Sequence, residues 1–101
     1  MSISAITHTA LSGMLAQSTR ASAIANNVAN ASTPGYSRLN TSFQSVEPSG
    51  VQASVTDTDQ GVDFATELTD LIETEQSYKA NASVFETGAD LWDVLMSIKR
   101  D

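Results

Sequence analysis

The chain has 101 residues and a formal net charge of −7, from five lysines and arginines against twelve aspartates and glutamates. This length suits a single domain, and the acidity argues against a nucleic-acid partner or an anionic lipid surface, since both need a basic face. There is no cysteine and one histidine, which excludes disulfides, thiolate metal sites and cysteine nucleophiles. We therefore expect no cofactor, and the absence of a long apolar run predicts no lipid insertion.

The first predicted segment, residues 1–31, is a long helix that begins near Ile3 and runs to about Asn30. Apolar and small residues recur every three or four positions, which places them on one helix face. That face includes Ile6, Ile24 and Val28. The helix is predicted to stop at an amide-rich end, because asparagine side chains can bond the last free carbonyls. The residues of this end are Asn26, Asn27 and Asn30.

The middle segment, residues 32–61, begins with a predicted β-turn and continues as a short polar stretch. The turn consists of Thr33, Pro34, Gly35 and Tyr36, where proline presets φ and glycine permits a positive φ. We expect the Tyr36 ring to pack on a helix with its hydroxyl directed outward. Two alternating runs, at 39–43 and 51–55, flank a second turn candidate. They predict either a small β-hairpin or an extended linker.

The third segment, residues 62–101, is predicted to be a helix with two apolar stripes. The first keeps a heptad register from Leu68 to Lys99, and includes Leu71, Tyr78, Phe85, Trp92 and Met96. The second stripe lies on another face and includes Val84, Leu91, Leu95 and Ile98. A helix with two apolar faces needs more than one neighbour. Each large apolar side chain left in water forfeits about 1.5–3 kcal/mol, so the sequence predicts self-association or a partner.

The charged residues are divided unevenly along the chain. No acidic residue precedes Glu47, and the only cations before it are Arg20 and Arg38. Two explanations fit this division. Either it arises by chance together with a solvated acidic helix, or the N-terminal half packs into a protein environment.

No set of residues predicts catalysis. The acids Glu67, Asp70, Glu73 and Glu75 are expected to solvate the outer face of the third segment near its N-terminal end. His8 has no acid near it in sequence, and the glycines lack a phosphate-binding spacing. We predict that the chain is not an enzyme.

The two ends together resemble the bacterial flagellar rod, hook and hook-associated proteins. The N-terminal signature of that family is similar to residues 10–14, 25–30 and 32–38, and the C-terminal signature is similar to residues 62–68, 78–82 and 85–87. The resemblance implies a mainly α fold. In that fold the two terminal helices pair as an antiparallel coiled coil or helical hairpin, with a short middle loop or small β-hairpin between them. Because only a short stretch separates the two signatures, it implies a small, proximal rod-type member.

The resemblance also implies a structural function. The chain is expected to be an axial subunit of the basal-body rod, in the periplasm, that assembles helically, transmits torque and contacts itself, other axial proteins and the export apparatus. Export through the flagellar type III system without a cleaved signal agrees with an N-terminus that lacks signal-peptide features. The expected intrachain pairing residues are Ile6, Ile24, Val28, Leu68, Leu71, Tyr78, Phe85, Trp92 and Met96, and the expected subunit contacts are Val84, Leu91, Leu95 and Ile98. The alternative is a small acidic helical export chaperone or adaptor that binds a partner helix.

Overall fold

A computed structural model describes residues 2–100, with side chains as far as Ile98. The elements are α1 (Ile3–Ala29), β1 (Leu39–Ser45), β2 (Val51–Asp57) and α2 (Phe64–Arg100). The expected fold, two long helices joined through a small antiparallel hairpin, is confirmed. Met1 and Asp101, at the ends of the first and third predicted segments, lie outside the described residues, as does the side chain of Lys99 at the end of the predicted heptad stripe. Neither helix, over the described residues, is long and apolar enough to cross a bilayer.

The ends of α1 are fixed by local side-chain hydrogen bonds. The Ser2 hydroxyl accepts a hydrogen bond from the backbone N–H of Ala5 at 3.1 Å, which satisfies one of the free donors of the first turn. At the other end, the Asn30 backbone N–H donates to the Asn26 carbonyl oxygen at 3.1 Å. The Asn30 side-chain amide donates to the same oxygen at 2.9 Å. The amide-rich stretch therefore ends α1 as expected.

A β-turn follows α1 and redirects the chain. The Tyr36 N–H donates to the Thr33 carbonyl oxygen at 3.2 Å, which closes the turn. Gly35 has a φ of +76°, a conformation that side chains with a Cβ rarely adopt. Pro34 precedes it at the position where a fixed negative φ is required.

The middle segment forms the hairpin and not the extended linker. The strands pair antiparallel, with Thr41 opposite Val55. The hairpin packs on α1, where the Ser12 hydroxyl donates to the carbonyl oxygen of Val51 and accepts from its N–H, both at 2.8 Å. Because Ser12 bonds both backbone groups of the first β2 residue, it fixes the position of the hairpin along α1.

The two helices run antiparallel, and α1 lies between α2 and the hairpin. The direction follows from the pairs that meet: Arg20 lies beside Glu73, near one end, and Thr7 beside Gly88, near the other. The molecule is correspondingly elongated, with extents of 65 × 24 × 14 Å. The central position of α1 gives it protein neighbours on two sides, α2 and the hairpin.

The interface between α1 and α2 is built mainly from small and polar residues. The buried residues of α1 include Ala10, Gly13, Ala16 and Ala23. The α2 residues in or near the interface recur every seven positions: Glu67 in the first turn, Thr74, Asn81 and Gly88. Small residues let two helix backbones approach closely, and a close approach leaves no room for leucine or phenylalanine side chains between them.

The heptad register of α2 therefore differs by one residue from the expected pairing stripe. Leu68 is 60% exposed, and the other five members are also exposed: Leu71, Tyr78, Phe85, Trp92 and Met96. In α1, Ile24 is buried, Ile6 is half-buried and Val28 is exposed. The physical reason is the small-residue face of α1, which accommodates threonine, asparagine and glycine and moves the large apolar side chains to the flanks.

Adding one methyl group to this interface is expected to destabilise the fold. In Gly13→Ala the new Cβ would lie 2.5–2.8 Å from three side-chain atoms of Asn81, so the helices must separate or the amide must move. We expect a loss of about 1–3 kcal/mol in the free energy of unfolding, measured by urea denaturation. Gly61→Ala is the matched control, because nothing lies within 4 Å of a Cβ there. Equal stability of both variants would contradict close helix packing at Gly13.

Candidate functional site

A polar cluster joins the end of α1, the turn, and the start of α2, and Asn27 is its centre. Its side-chain oxygen accepts hydrogen bonds from the Leu39 N–H at 2.7 Å and from the Tyr36 hydroxyl at 2.8 Å. Its amide nitrogen donates to the Leu39 carbonyl oxygen at 3.0 Å and to the Glu67 carboxylate at 3.2 Å. Asn27 is fully buried. One amide thus fixes three segments, which requires both a donor and an acceptor on the same side chain.

The Tyr36 hydroxyl points into this cluster, and the expected outward direction was wrong. It donates to Asn27 at 2.8 Å and accepts from the Asn26 side-chain nitrogen at 3.1 Å. The turn at Gly35 brings the ring back over the end of α1, and a hydroxyl there is stabilised by amide partners that satisfy both of its hydrogen-bonding roles.

Removing this hydroxyl is expected to lower stability modestly. Tyr36→Phe deletes two hydrogen bonds and leaves an Asn27 lone pair without one of its donors. We expect a loss of about 1–2 kcal/mol in the free energy of unfolding, seen as a lower midpoint in thermal denaturation. Tyr78→Phe is the control, because that side chain lies exposed on α2. A lower midpoint for the control than for Tyr36→Phe would overturn this role.

Glu67 is buried in the same cluster, where it forms an ion pair with Arg38. The Arg38 Nε donates to Glu67 Oε1 at 2.8 Å. Glu67 is 0% exposed, although it was expected to solvate the outer face of the helix. The reason is the register of α2, which turns Glu67 toward α1, where Arg38 and Asn27 supply donors. A buried carboxylate is tolerated only with such partners.

A second arginine extends the cluster along the helix interface. Arg20 lies 3.6 Å from Asp70 and 3.2 Å from Glu73, and Arg38 also lies 3.6 Å from Asp70. Both cations of the acid-free half therefore face acids of α2. Of the four acids expected on the outer face, Glu73 and Glu75 are exposed, and Asp70 is half-buried between the two arginines.

The structure brings the amide-rich end and the turn together. Arg38, Glu67 and Ser12, which also bond across segments, were not among the predicted site residues. A signal for the arginines was present: two cations in an otherwise acid-free half need acidic partners from elsewhere in the chain. Ser12 lies in the stretch 10–14 that resembles the family signature, but its residue type predicted no particular contact, because serine is common on helices.

The second feature is an exposed apolar surface at the end of α2. Leu91 lines a groove with Ile3 and Ile6 at the start of α1. Since the helices are antiparallel, α2 continues past the first residue of α1 from Trp92 onward. We call residues 91–98 the C-terminal apolar segment. Its large apolar side chains are all exposed, from 38% to 67%: Leu91, Trp92, Val94, Leu95, Met96 and Ile98.

The structure thus places the four expected subunit contacts at the surface. Val84, Leu91, Leu95 and Ile98 are each about half exposed or more. Val84 and Leu91 lie on the flank of the helix pair, in the groove with Ile3 and Ile6, whereas Leu95 and Ile98 lie past α1. None of the described residues forms a cluster of three or more groups suited to a metal ion.

Two family models match the ends of the chain. The model described as "Flagella basal body rod protein" matches residues 8–36. The model described as "Flagellar basal body rod FlgEFG protein C-terminal" matches residues 59–98. The first covers most of α1 and the turn after it, and the second covers α2 with the loop before it. Both strands of the hairpin lie in the stretch between the two matches.

Two flagellar hook proteins are among the similar curated proteins. The chain is 52% identical over 42 residues to the flagellar hook protein FlgE of Brucella suis biovar 1 (strain 1330), which is 42% of this chain and 11% of the hook protein. It is 51% identical over 39 residues to FlgE of Rhizobium meliloti (strain 1021), which is 39% of this chain and 10% of that protein. The chain thus spans about a tenth of the length of these relatives.

Proposed function

We propose that this chain, which belongs to the family of flagellar rod and hook axial proteins, is a structural subunit of the flagellar axis. It assembles through its helices. One observation carries the proposal: six large apolar side chains of residues 91–98 are exposed where α2 passes the end of α1. Water is a poor environment for such a surface, and contiguous exposed apolar patches mark sites where proteins associate.

The width of this surface favours assembly over a contact with one partner helix. At 100° per residue, the apolar side chains of residues 91–98 span about 200° of the helix circumference. A helix that packs on a single neighbour shows a stripe of only about 100°. Asp90, Asp93 and Ser97 occupy the remaining arc. More than one neighbouring helix is needed to cover the segment, as in a subunit surrounded by copies of itself or by related subunits.

Within this function we assign two roles to the residues of the helices. Val84, Leu91, Leu95 and Ile98 contact neighbouring subunits. Among the expected intrachain pairing residues, Ile24 and Ile6 hold the helices of one chain together. Leu71 and Tyr78 of α2 line a groove beside α1. We assign them contacts with neighbouring subunits as well. The chain transmits torque through these helix contacts and performs no reaction.

We place the subunit in the periplasmic rod of the basal body, after export by the flagellar type III system. The support is the short stretch between the two family matches, which holds only a two-stranded hairpin. Fractionation of the source bacterium tests this placement. Recovery with basal bodies stripped of hooks is the expected result, recovery in the hook fraction contradicts the rod, and a purely cytoplasmic location favours the export chaperone or adaptor.

The assembly itself is tested on the purified chain. Size-exclusion chromatography with light scattering across a concentration series, with far-UV circular dichroism on the same samples, is expected to show mass that rises with concentration. A chain that is a fully helical monomer at every concentration would contradict the proposal. That result would favour the alternative function of an export adaptor, in which the exposed helix binds a different protein.

A further inference from the structure

The two-stranded hairpin points some of its backbone hydrogen-bonding groups away from its own ladder. In an antiparallel pair, successive residues direct their N–H and C=O groups alternately toward the partner strand and away from it. Leu39 and Val51 direct theirs away, because the side chain of Asn27 binds both groups of Leu39 and that of Ser12 binds both groups of Val51. The same alternation turns outward the backbone groups of the other odd-numbered residues of both strands.

Three outward-facing residues on each strand lack a partner of this kind. They are Thr41, Phe43 and Ser45 on β1, and Ala53, Val55 and Asp57 on β2. Over the part of the chain that the structure describes, no group outside the hairpin bonds their N–H or C=O. We call residues 41–45 and 53–57 the open edges of β1 and β2. Free backbone groups in such a row pair with another extended strand, so the edges select a strand and not a helix as partner.

The path of α1 determines which part of each edge is open. α1 crosses the inner face of the hairpin on a diagonal, because Asn27 binds the start of β1 and Ser12 binds the start of β2. The side chains that face α1 near these two contacts are half-buried. Further along the strands, Phe43 is 38% and Val55 is 40% exposed. The open corners of the hairpin therefore lie at the last residues of β1 and of β2.

A pocket of about 310 Å³ lies where α1 meets β2. Its walls include Leu11 and Leu15 of α1, which are 40% and 62% exposed, and Val51 and Ala53 of β2. Its lining contains no acid, lysine or arginine. A strand that is added to the open edge of β2 directs every second side chain toward the helix side of the sheet, where this pocket lies. The strand that fits best has an apolar residue and no charge there.

The β1 strand of a second copy has these properties. Residues 39–45 carry no charge, and Phe43 is exposed on the face that is turned toward the helices. A second β2 fits less well, because antiparallel pairing about Val55 sets Asp57 opposite Ala53, where its carboxylate would lose water beside apolar walls. Pairing of two β1 edges leaves the pocket empty. The chemistry of the pocket thus favours β1 over β2 as the added strand.

We propose that β1 of one copy adds to the open edge of β2 in a second copy as an antiparallel strand, with its Phe43 in the pocket of that neighbour. In this register Phe43 lies opposite Val55, and aromatic side chains paired with β-branched ones stabilise sheets. The outward-facing residues on either side also meet: Thr41 with Asp57, and Ser45 with Ala53. Backbone groups that lack partners in one chain therefore bind each other between two chains.

This contact rests on the proposed axial function and names one interface through which copies assemble. It joins two different edges, so the copies associate head to tail and their hairpins form a continuous sheet. Successive copies are displaced by about 10 Å across the sheet and about 7 Å along the strands. That step leaves room for the α1 helices, each about 10–12 Å wide, to lie side by side on one face of the sheet.

Single cysteines on separate chains test the register, because the chain has no cysteine of its own. Gln44 and Ser54 are exposed, and the proposed register places them opposite each other in neighbouring copies. They form a pair without mutual hydrogen bonds, with Cα atoms about 4.5 Å apart, which a disulfide allows. Mild oxidation of an equimolar mixture of Gln44→Cys and Ser54→Cys is expected to give a covalent dimer that contains one chain of each kind.

Three controls separate the possible contacts. Gln44→Cys by itself is expected to stay monomeric on a denaturing gel, and a dimer would show that two β1 edges pair. Ser54→Cys by itself is the same control for two β2 edges. A mixture of Gln44→Cys with Gln52→Cys moves the second thiol about 7 Å along the same face and is expected to give little product. A dimer of either single variant, or a stronger product with Gln52→Cys than with Ser54→Cys, would overturn the proposal.

Light scattering distinguishes a failure of this contact from a failure of the proposed function. If the chains assemble but the mixture of Gln44→Cys and Ser54→Cys does not cross-link, strand addition is wrong and the axial function stands. If no assembly forms at any concentration, both are wrong.

A proline on the open edge provides an independent measurement without cysteines. Because the Val55 N–H points outward, Val55→Pro removes a donor that only the neighbour uses, and the hairpin keeps its own ladder. Val55→Thr is the matched control, since it replaces the same apolar side chain but keeps the N–H. We expect Val55→Pro to assemble at a half-assembly concentration about 2- to 12-fold above that of Val55→Thr, the equivalent of one lost hydrogen bond. Equal assembly of the two variants would overturn strand addition.

Discussion

Replacing Arg38 by methionine is expected to lower the free energy of unfolding by about 3–5 kcal/mol. The variant leaves the Glu67 carboxylate buried with only the Asn27 amide as a partner. Removing water from a charge without an opposite charge is expensive, and small domains have only about 5–15 kcal/mol of net stability. Urea denaturation followed by circular dichroism measures the loss.

Lys79→Met is the matched control for this prediction. It removes one partner of an ion pair of similar length, 3.0 Å to Glu75, but both side chains are exposed. Pairs of that kind contribute about 0–1 kcal/mol, so the control is expected to unfold near the midpoint of the unaltered chain. Equal losses in the two variants would contradict the burial of Glu67.

A double replacement separates the cost of an unpaired charge from the value of the pair. In Arg38→Met/Glu67→Met both charges are absent and the site is apolar, which is often neutral relative to a buried ion pair. We expect this variant to recover most of the stability that Arg38→Met loses. If it is less stable than the single variant, then the pair contributes more than its own desolvation cost.

The sequence predicted the elements well because their signals are local. The amide-rich end at Asn30 and the Pro34–Gly35 turn each act through bonds to residues within a few positions. Alternation in short polar strands is weak evidence, so the middle segment predicts either a hairpin or an extended linker. The contact that anchors the hairpin is not local: Ser12 on α1 bonds Val51 from far along the chain.

The register of the helix pair was not predictable from the apolar pattern of α2 alone. Periodicity favoured the stripe that includes Leu68 and Phe85, because large apolar residues usually mark the face that packs. The face of α1 decides otherwise: alanines and Gly13 bring the backbones close, and Asn81 and Gly88 fit there. The apolar stripes of α2 therefore lie on the outer surface of the chain. Such exposed apolar stripes indicate assembly with other chains, and the apolar pattern of α2 alone does not distinguish them from a face that pairs with α1.

The ion pairs of the buried cluster were likewise only partly predictable from the sequence. The acid-free N-terminal half indicated that Arg20 and Arg38 need partners, but not which acids provide them. Glu67 and Asp70 stand near one another in sequence as Glu73 and Glu75 do, and only the rotation of α2 about its axis separates a buried acid from a solvated one.

Replacing Leu95 by aspartate is expected to abolish assembly while the single chain keeps its fold. Leu95 lies past α1 and is about half exposed, so the helix pair loses no contact that holds it together. In the assembly, the variant loses about 1.5–3 kcal/mol of apolar burial and must also bury a carboxylate, which costs several kcal/mol more. Because each 1.4 kcal/mol is a factor of ten, the half-assembly concentration is expected to rise at least 100-fold.

Ser97→Asp tests whether this effect comes from the apolar surface or from added negative charge. It places the same carboxylate in the same helical turn, but on the arc that Asp90 and Asp93 already occupy. We expect assembly close to that of the unaltered chain by light scattering, and swarming that is retained when the variant replaces the chromosomal copy in the source bacterium. Leu95→Asp is expected to eliminate swarming although the chain is made and exported. Equal loss in both variants would assign the effect to charge, and swarming in both would remove residues 91–98 from the assembly contacts of the axis.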